Sequence, residues 1–132
     1  MEAAGRPFVV HNRTRGATLA ANVRLADTPR SRRIGLLRHE PLEPGEGLWI
    51  YPTRAIHTFG MRFPIDVAFL DRHLYVKRVC HHLAPFRLTT PVWGARSVLE
   101  LAAGSLASTG TAVGDQLQFS LREELSACGG PR

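Results

Sequence analysis

The chain has 132 residues, a formal net charge of +6 and a pI of about 10.6. Its hydrophobic fraction of 44% and charged fraction of 21% exclude a disordered or fibrous protein and are typical of one globular domain. No apolar run reaches the roughly 18 residues of a membrane span, and residues 1–13 lack the apolar run of a signal peptide. We therefore expect a single cytoplasmic domain over 1–132, without a membrane partner and with flexible ends at 1–7 and 123–132.

The basic charge invites a nucleic-acid interpretation, because clustered cations supply most non-specific phosphate affinity. The arginines are spread along the chain, however, and Lys77 is the only lysine. The one cluster lies in Arg30–Arg38 and contains no aromatic residue on which a base could stack. A solvated face is therefore favoured there, with weak nucleic-acid binding through Arg30–Arg38 as an alternative.

The first half of the chain predicts an opening hairpin from the strand candidates at 8–12 and 18–25. Asp27 or Thr28 can cap a helix whose first turn holds Pro29, and this helix is expected over about 28–37. The prolines at 41 and 44 end it, and a short strand follows at 48–51.

The second half predicts a central hairpin, with strands at 65–70 and 74–79 around a turn at 71–73. A loop is expected from 80 to about 91, a strand at 97–101, a helical turn at about 103–109 and a last strand at 116–121. A sheet of many short strands in a small domain must protect the unpaired backbone groups of its edge strands, which favours closure. The predicted fold is therefore mainly β, bordering on α+β: a small, partly closed antiparallel β-barrel with one short helix.

Three stretches together carry a family resemblance: 26–29 with Arg32 and 35–37; 57–66 with 69–71; and 99–104 with Gly110 and 113–115. In this order and spacing the chain resembles the bacterial and archaeal family known as domain of unknown function 192, over about 18–121. The resemblance implies a compact, barrel-like, mainly β fold and no established activity. Some members carry Trp-Met and an Asn-Thr pair in the central stretch, where this chain has Phe59-Gly60-Met61 and Arg62-Phe63.

Asp66 is the residue that most needs an explanation, because it is the one polar residue in the apolar strand 65–70. If it is buried, its charge requires an arginine, a histidine or backbone donors as partners. Arg32, Arg62 and His57 are the candidate side chains. A buried hydrogen bond or ion pair that fixes strand register is the favoured interpretation, and a general base formed by His57 and oriented by Asp66 is the alternative.

Metal and redox chemistry have weaker support in the sequence. Cys80 and Cys128 are expected to be reduced thiols rather than a disulfide. Cys80 and His82 can share a strand face and, with His57 or Asp66, would form a zinc site only if the fold joined them. We expect no metal and no cofactor.

The favoured functional hypothesis is a noncatalytic accessory or ligand-binding module for a small anionic or carbohydrate ligand. His57, Met61, Arg62 and Asp66 would form the floor of its site, with Trp93 at the rim. The alternative is a hydrolase that uses His57 and Asp66 as its candidate catalytic residues. Structural roles are expected for Arg32, Gly35, Glu100, Gly104, Gly114 and Asp115.

Overall fold

The computed structural model of the chain describes residues 6–26, 41–59 and 61–122. Within these ranges there are seven strands and one short helix. They are β1 (Phe8–Asn12), β2 (Ala17–Ala26), β3 (Glu46–Ile50), β4 (Ile65–Leu70), β5 (Val76–Leu83), β6 (Ser97–Ala102), α1 (Ser105–Thr109) and β7 (Leu117–Leu121). The predicted mainly β fold is confirmed, and α1 occupies the predicted helical turn. The helix expected over 28–37 lies outside the described residues.

All seven strands belong to one sheet in the order β5-β4-β6-β3-β2-β1-β7. Neighbouring strands are antiparallel except β2 and β3, which are parallel. The sheet curls into a half-barrel. Its two outermost strands meet at one end, where Tyr75 pairs with Gln116 and the Leu117 N–H donates to the Leu74 carbonyl over 2.9 Å. The predicted partial closure is therefore present at that end.

The inside of the curl holds the interior core, to which every strand and α1 contribute. Val10, Val76 and Leu117 bring the first strand and the two outermost strands into this core. The other members are Leu19, Ala20, Val23, Ala68, Leu70, Leu99, Leu101 and Leu106, with Phe8, Trp49, Leu74, Val79 and Phe119 packed against them. In β4 and β6 alternate residues supply these side chains, Ala68 and Leu70 in one and Leu99 and Leu101 in the other.

The opposite face of β3, β4 and β6 carries a second, outer core. Its sheet members include Val67, Phe69 and Val98, and Ile56, Met61 and Phe63 pack onto them from outside the sheet. This burial on both faces explains why β4 and β6 are buried at every position.

A covering ribbon of two extended segments, 53–59 and 86–96, encloses the outer core. The segments run antiparallel and exchange backbone hydrogen bonds along their length, from Thr53 with Arg96 to Thr58 with Phe86. Ile56 and Ala95, one from each segment of the ribbon, are buried in the outer core.

The fifth strand differs from its prediction, since it continues to Leu83 rather than ending near Val79. Its pairing with β4 shifts by one residue, so that His81 and His82 together stand opposite Asp66. This is a β-bulge, with His82 at a φ of 51°. A bulge interrupts the alternation of side chains, which is why the sequence at 80–83 did not indicate a strand.

Gly47 allows β3 to lie close to its neighbours in the middle of the sheet. A Cβ atom at this position would stand 2.8 Å from the Glu100 carbonyl oxygen and 3.0 Å from a Leu101 methyl carbon. Gly104 and Gly114 instead serve turns, with φ of 96° and 97°.

A buried polar cluster holds the end of β1 to the turn before β7. The Asn12 amide donates to Thr111 Oγ1 over 2.9 Å and to Asp115 Oδ2 over 3.0 Å. Asp115 also accepts from the Ala112 N–H over 3.0 Å and forms an ion pair with Arg15 over 2.8 Å. Burial of Asp115 acts to raise its pKa, but the hydrogen bonds from Arg15, Asn12 and Ala112 outweigh it, so the pKa of this carboxyl is lowered.

We expect Asp115 to stabilise the fold only while it is ionised. Because its folded pKa is below its unfolded value, its contribution is complete above the ordinary aspartate pKa of about 3.9 and is lost as the pH falls through the folded pKa. The difference in unfolding free energy between the wild type and Asp115→Asn should therefore be constant near neutral pH and shrink in acid. Urea denaturation across a pH series measures this difference, and one that grows in acid would contradict the assignment.

Candidate functional site

Asp66 is fully buried and binds only backbone groups among the described residues. One carboxylate oxygen accepts the His82 N–H over 2.9 Å. The other accepts the N–H groups of Gly104 over 3.0 Å and Leu106 over 2.9 Å. Three donors to one carboxylate offset the loss of water around its charge.

The three donors are backbone N–H groups that neither the sheet nor the helix would otherwise supply with an acceptor. The His82 N–H belongs to the bulge of β5, and the Gly104 and Leu106 N–H groups lie at the start of α1, where no preceding helical carbonyl can accept them. Asp66 therefore joins the bulge and the helix to β4.

His57 and Asp66 lie on opposite faces of the sheet. Asp66 binds the N–H of Leu106, whose side chain is in the interior core, whereas His57 belongs to the covering ribbon over the outer core. His57 is half-buried, and its Nδ1 accepts the Phe59 N–H over 3.3 Å. The structure contains no hydrogen bond or ion pair between these two described residues.

The other three predicted ligand-binding residues also fail to converge on one cavity. Met61 is 1% exposed and packs in the outer core. Arg62 is exposed, and Trp93 is 90% exposed at the end of the covering ribbon where Thr53 pairs with Arg96. Ligand binding by these residues stays a prediction, and the geometry does not assemble them with Asp66.

Glu100 is a second buried carboxylate, at the centre of the sheet. It pairs with Leu48 of β3 and Val67 of β4, and it lies on the side of the outer core. Glu100 has an interaction partner, so its burial does not mark an unsatisfied charge. Arg32 and Gly35, two of the residues expected to be structural, lie outside the described residues, as does the whole of Arg30–Arg38.

Two threonines that the sequence did not single out as structural hold the covering ribbon together. The buried Thr58 hydroxyl donates to the Ala84 carbonyl over 2.7 Å and accepts the Arg87 N–H over 2.8 Å. The Thr89 hydroxyl accepts the Ile56 N–H over 2.9 Å. Since both segments are hydrogen-bonded through side chains as well as backbone, the ribbon has a defined conformation.

A cleft of about 440 Å³ opens at the end of the interior core. Its apolar wall consists of Leu25, Trp49 and Leu74, and its polar wall of Tyr51, Asp71, Arg72, Arg96 and Ser97. The Trp49 ring is held in place by stacking on Phe119, with 3.9 Å between ring centroids, and by an edge contact with Phe8 at 5.4 Å. We call this the mouth cleft.

The polar wall of the mouth cleft is not electrically uniform. Asp71 uses one oxygen to accept the N–H groups of His73 and Tyr75, both over 2.9 Å, and so fixes the turn after β4. The Arg96 guanidinium makes no ion pair with a described residue. A bound molecule would therefore meet the Arg96 guanidinium, which is unpaired within the described ranges, beside an anchored carboxylate.

A second cleft of about 420 Å³ adjoins the first at Arg96 and is lined by Arg54, Trp93, Gly94, Ala95 and Arg96. Sequence reasoning missed Arg54, Arg72 and Arg96, which lie far apart along the chain. A usable signal for part of this surface was present, since aromatic and basic residues alternate between Phe86 and Arg96.

Within the described ranges, no three His, Cys, Asp or Glu side chains are grouped closely enough to hold a metal ion. Cys80 is half-buried against the outer core, and His82 is exposed in the bulge. The same part of the chain contains no helix that is long and apolar enough to span a membrane.

Comparison with known proteins gives a family. Residues 10–119 match the model of domain of unknown function 192, described as an uncharacterized ACR. A UPF0127 protein from Thermococcus sibiricus is 30% identical over 128 residues, which is 91% of this chain and 80% of that protein.

Two crystal structures share the fold at 24% identity. A protein of unknown function from Novosphingobium aromaticivorans has a TM-score of 0.71, with 85% of this chain and 83% of that one aligned. A protein described as a putative transcription regulator from Sinorhizobium meliloti has a TM-score of 0.69, with 85% and 91% aligned. At this identity the two likenesses bear on the fold alone.

The contacts of Asp66 predict a large loss of stability when its charge is removed. In Asp66→Asn, one oxygen is replaced by an amide that cannot accept a hydrogen bond, and at least one buried N–H loses its partner. We expect the free energy of unfolding to fall by about 3 kcal/mol, measured by urea denaturation at neutral pH.

Asp71→Asn is the matched control, because Asp71 also accepts backbone N–H groups but does so at a more exposed turn. It should cost only about 1 kcal/mol. Equal costs for the two substitutions would show that burial and the bulge add nothing to the role of Asp66.

Proposed function

The chain belongs to the family known as domain of unknown function 192, and we propose that it is a ligand-binding module whose site is the mouth cleft. The observation that carries this proposal is the position of the Arg96 guanidinium, which has no ion-pair partner in the part of the chain that the structure describes, beside the aromatic and aliphatic wall of a cleft of about 440 Å³. Cavities of this size suit small organic molecules, and apolar walls with few polar groups are typical of such sites.

The chemistry of the cleft selects a ligand with two parts. Trp49, Leu25 and Leu74 offer surface for a planar or apolar body. Arg72 and Arg96 can hold a carboxylate or phosphate, for which guanidinium provides paired donors. Asp71 would repel a second anionic group and accept a hydroxyl or amine donor. The proposed ligand is therefore a small monoanionic molecule with a planar or apolar body.

A hydrolase based on His57 and Asp66 has less support. General acid–base catalysis requires the base and its orienting group to be within hydrogen-bond reach, and these two residues occupy opposite faces of the sheet. Nucleic-acid binding through Arg30–Arg38 stays a prediction, because that segment lies outside the described residues.

We expect aromatic carboxylates and aromatic phosphates to raise the thermal midpoint of the protein. A ligand that binds only the folded state stabilises it in proportion to the logarithm of its concentration above Kd. Differential scanning fluorimetry against a panel of such compounds selects the probe, and titration calorimetry gives its affinity. For the selected probe, Arg96→Ala should weaken binding by roughly 10-fold to 100-fold, as expected for a lost charge-assisted hydrogen bond.

Arg13→Ala is the matched control, since Arg13 is an exposed arginine on the turn between β1 and β2, outside the lining of the mouth cleft. It removes the same charge and should leave the affinity unchanged. The proposal fails if no compound of the panel shifts the midpoint, or if both substitutions weaken binding equally.

A further inference from the structure

The covering ribbon carries an unusual concentration of exposed apolar side chains. Phe86 is 65% exposed, Leu88 70% and Trp93 90%, and Phe59 is 48% exposed on the facing segment. The buried residues of the ribbon, such as Ile56 and Thr89, pack toward the outer core. The exposed rings therefore lie on the outer side and edges of the ribbon, where they face solvent.

The ribbon and the residues that flank it in sequence are cationic, and among the described residues the carboxylate placed near them is Asp71, which lines the mouth cleft with Arg96. The chain from 51 to 64 and from 84 to 96 contains Arg54, Arg62, Arg87 and Arg96 and no aspartate or glutamate. None of these four guanidinium groups forms an ion pair with a described residue. A surface that presents rings and free arginines together is complementary to a partner with both aromatic and anionic groups.

Phe86 adds an independent indication of function. Its φ is 61°, in the left-handed region that a bulky residue rarely adopts. Its ring is mostly exposed, and the conformation is held by backbone contacts instead, since the Phe86 N–H donates to the Thr58 carbonyl over 3.0 Å and the Arg87 N–H to the Thr58 hydroxyl over 2.8 Å. A strained backbone that presents an exposed ring is characteristic of a contact site.

The exposed rings and the arginines are distributed along the length of the covering ribbon. From one end of the ribbon to the other, the backbone pairs are Thr53 with Arg96, Arg54 with Val92, Ile56 with Thr89, His57 with Leu88, and Thr58 with Arg87 and Phe86. Trp93 thus lies near Arg54 and Arg96 at one end, while Arg87, Phe86 and Phe59 lie together at the other end. The seven residues of extended chain from 53 to 59 span roughly 20 Å.

We infer that the covering ribbon binds single-stranded nucleic acid, with arginines along the phosphates and the rings of Trp93, Phe86 and Phe59 stacked on bases. Proteins that bind single strands without sequence preference combine a cationic track with aromatic platforms in this manner. His57, whose ring centroid is 5.0 Å from that of Phe59, extends the platform at that end. The ribbon shares Arg96 with the mouth cleft, but Arg54, Arg87 and the three rings lie outside the lining of that cleft.

The placement of the rings favours a single strand over an anionic membrane. A bilayer contacts apolar side chains as one coherent patch, whereas these rings form two groups at opposite ends of the ribbon, each beside at least one arginine. Leu88 is the member that fits stacking least, because an aliphatic side chain has no π-face.

Fluorescence anisotropy with a labelled single strand of about 12 thymidines tests the inference on the full chain, since single-strand sites commonly cover about 4 to 16 nucleotides. Binding should weaken with salt at a log–log slope of about −3, if four arginines each neutralise one phosphate. Arg54→Ala/Arg87→Ala should reduce the magnitude of that slope by about half. These two arginines lie outside the lining of the mouth cleft, so the result is distinct from the test of the cleft.

The contribution of ring stacking to binding is tested with separate variants. Phe86→Ala and Trp93→Ala should each weaken binding by roughly 10-fold without changing the salt slope. Phe86→Gly removes the ring and relieves the left-handed strain, so it keeps the test valid if another substitution disturbs the fold. Circular dichroism and the thermal midpoint verify folding of each variant.

Arg13→Ala/Arg122→Ala is the control, with the same change of net charge at exposed positions outside the ribbon. Equal weakening by the control pair would overturn the inference in favour of general electrostatic attraction. Absence of binding at low salt would overturn it outright. Binding to vesicles of phosphatidylcholine and phosphatidylserine, lost in Phe86→Ala and without oligonucleotide binding, would overturn it in favour of a membrane surface.

Discussion

The buried charge of Asp66 is the constraint on which the arrangement of the molecule depends. A carboxylate removed from water must be surrounded by donors, and here the donors are three backbone N–H groups from two different elements. These hydrogen bonds therefore hold the bulge of β5 and the first turn of α1 beside β4. Through the bulge they also set where β5 ends and the chain turns back into the covering ribbon, and through α1 they seat Leu106 in the interior core.

The strand pattern was largely readable from the sequence, because alternation and turn residues report on burial. The sequence also singled out Asp66, since one polar residue in an apolar strand is a local signal. Its partners were not readable. Backbone N–H groups exist at almost every residue, so nothing in the residue types at 82, 104 and 106 identifies them as donors. The continuation of β5 to Leu83 escaped prediction for the related reason that a bulge abolishes alternation.

The candidate sites show a different limit of sequence reasoning. His57 and Asp66 are nine residues apart, yet the sheet separates them because the chain passes from the ribbon over the outer core into β4. Arg54 and Arg96 are distant in sequence, yet they line one cleft because Thr58 and Thr89 tie the two ribbon segments together. His57 and Asp66 are therefore close in sequence but not in the structure. Arg54 and Arg96 are close in the structure but not in sequence. Both outcomes follow from pairing between distant segments, which residue spacing does not encode.

The pairing of β1 with β7 bears on how this protein is made. Phe8 pairs with Leu121, so the first of the described strands has one of its neighbours in the last of them. Two of the three donors to Asp66 likewise follow it by about 40 residues. Until they emerge, its carboxylate must stay hydrated, and β4 cannot be buried at that position. The nascent chain can form the hairpin of β1 and β2 early, but β1 gains its second neighbour only after β7 has emerged, so this long-range pairing forms late.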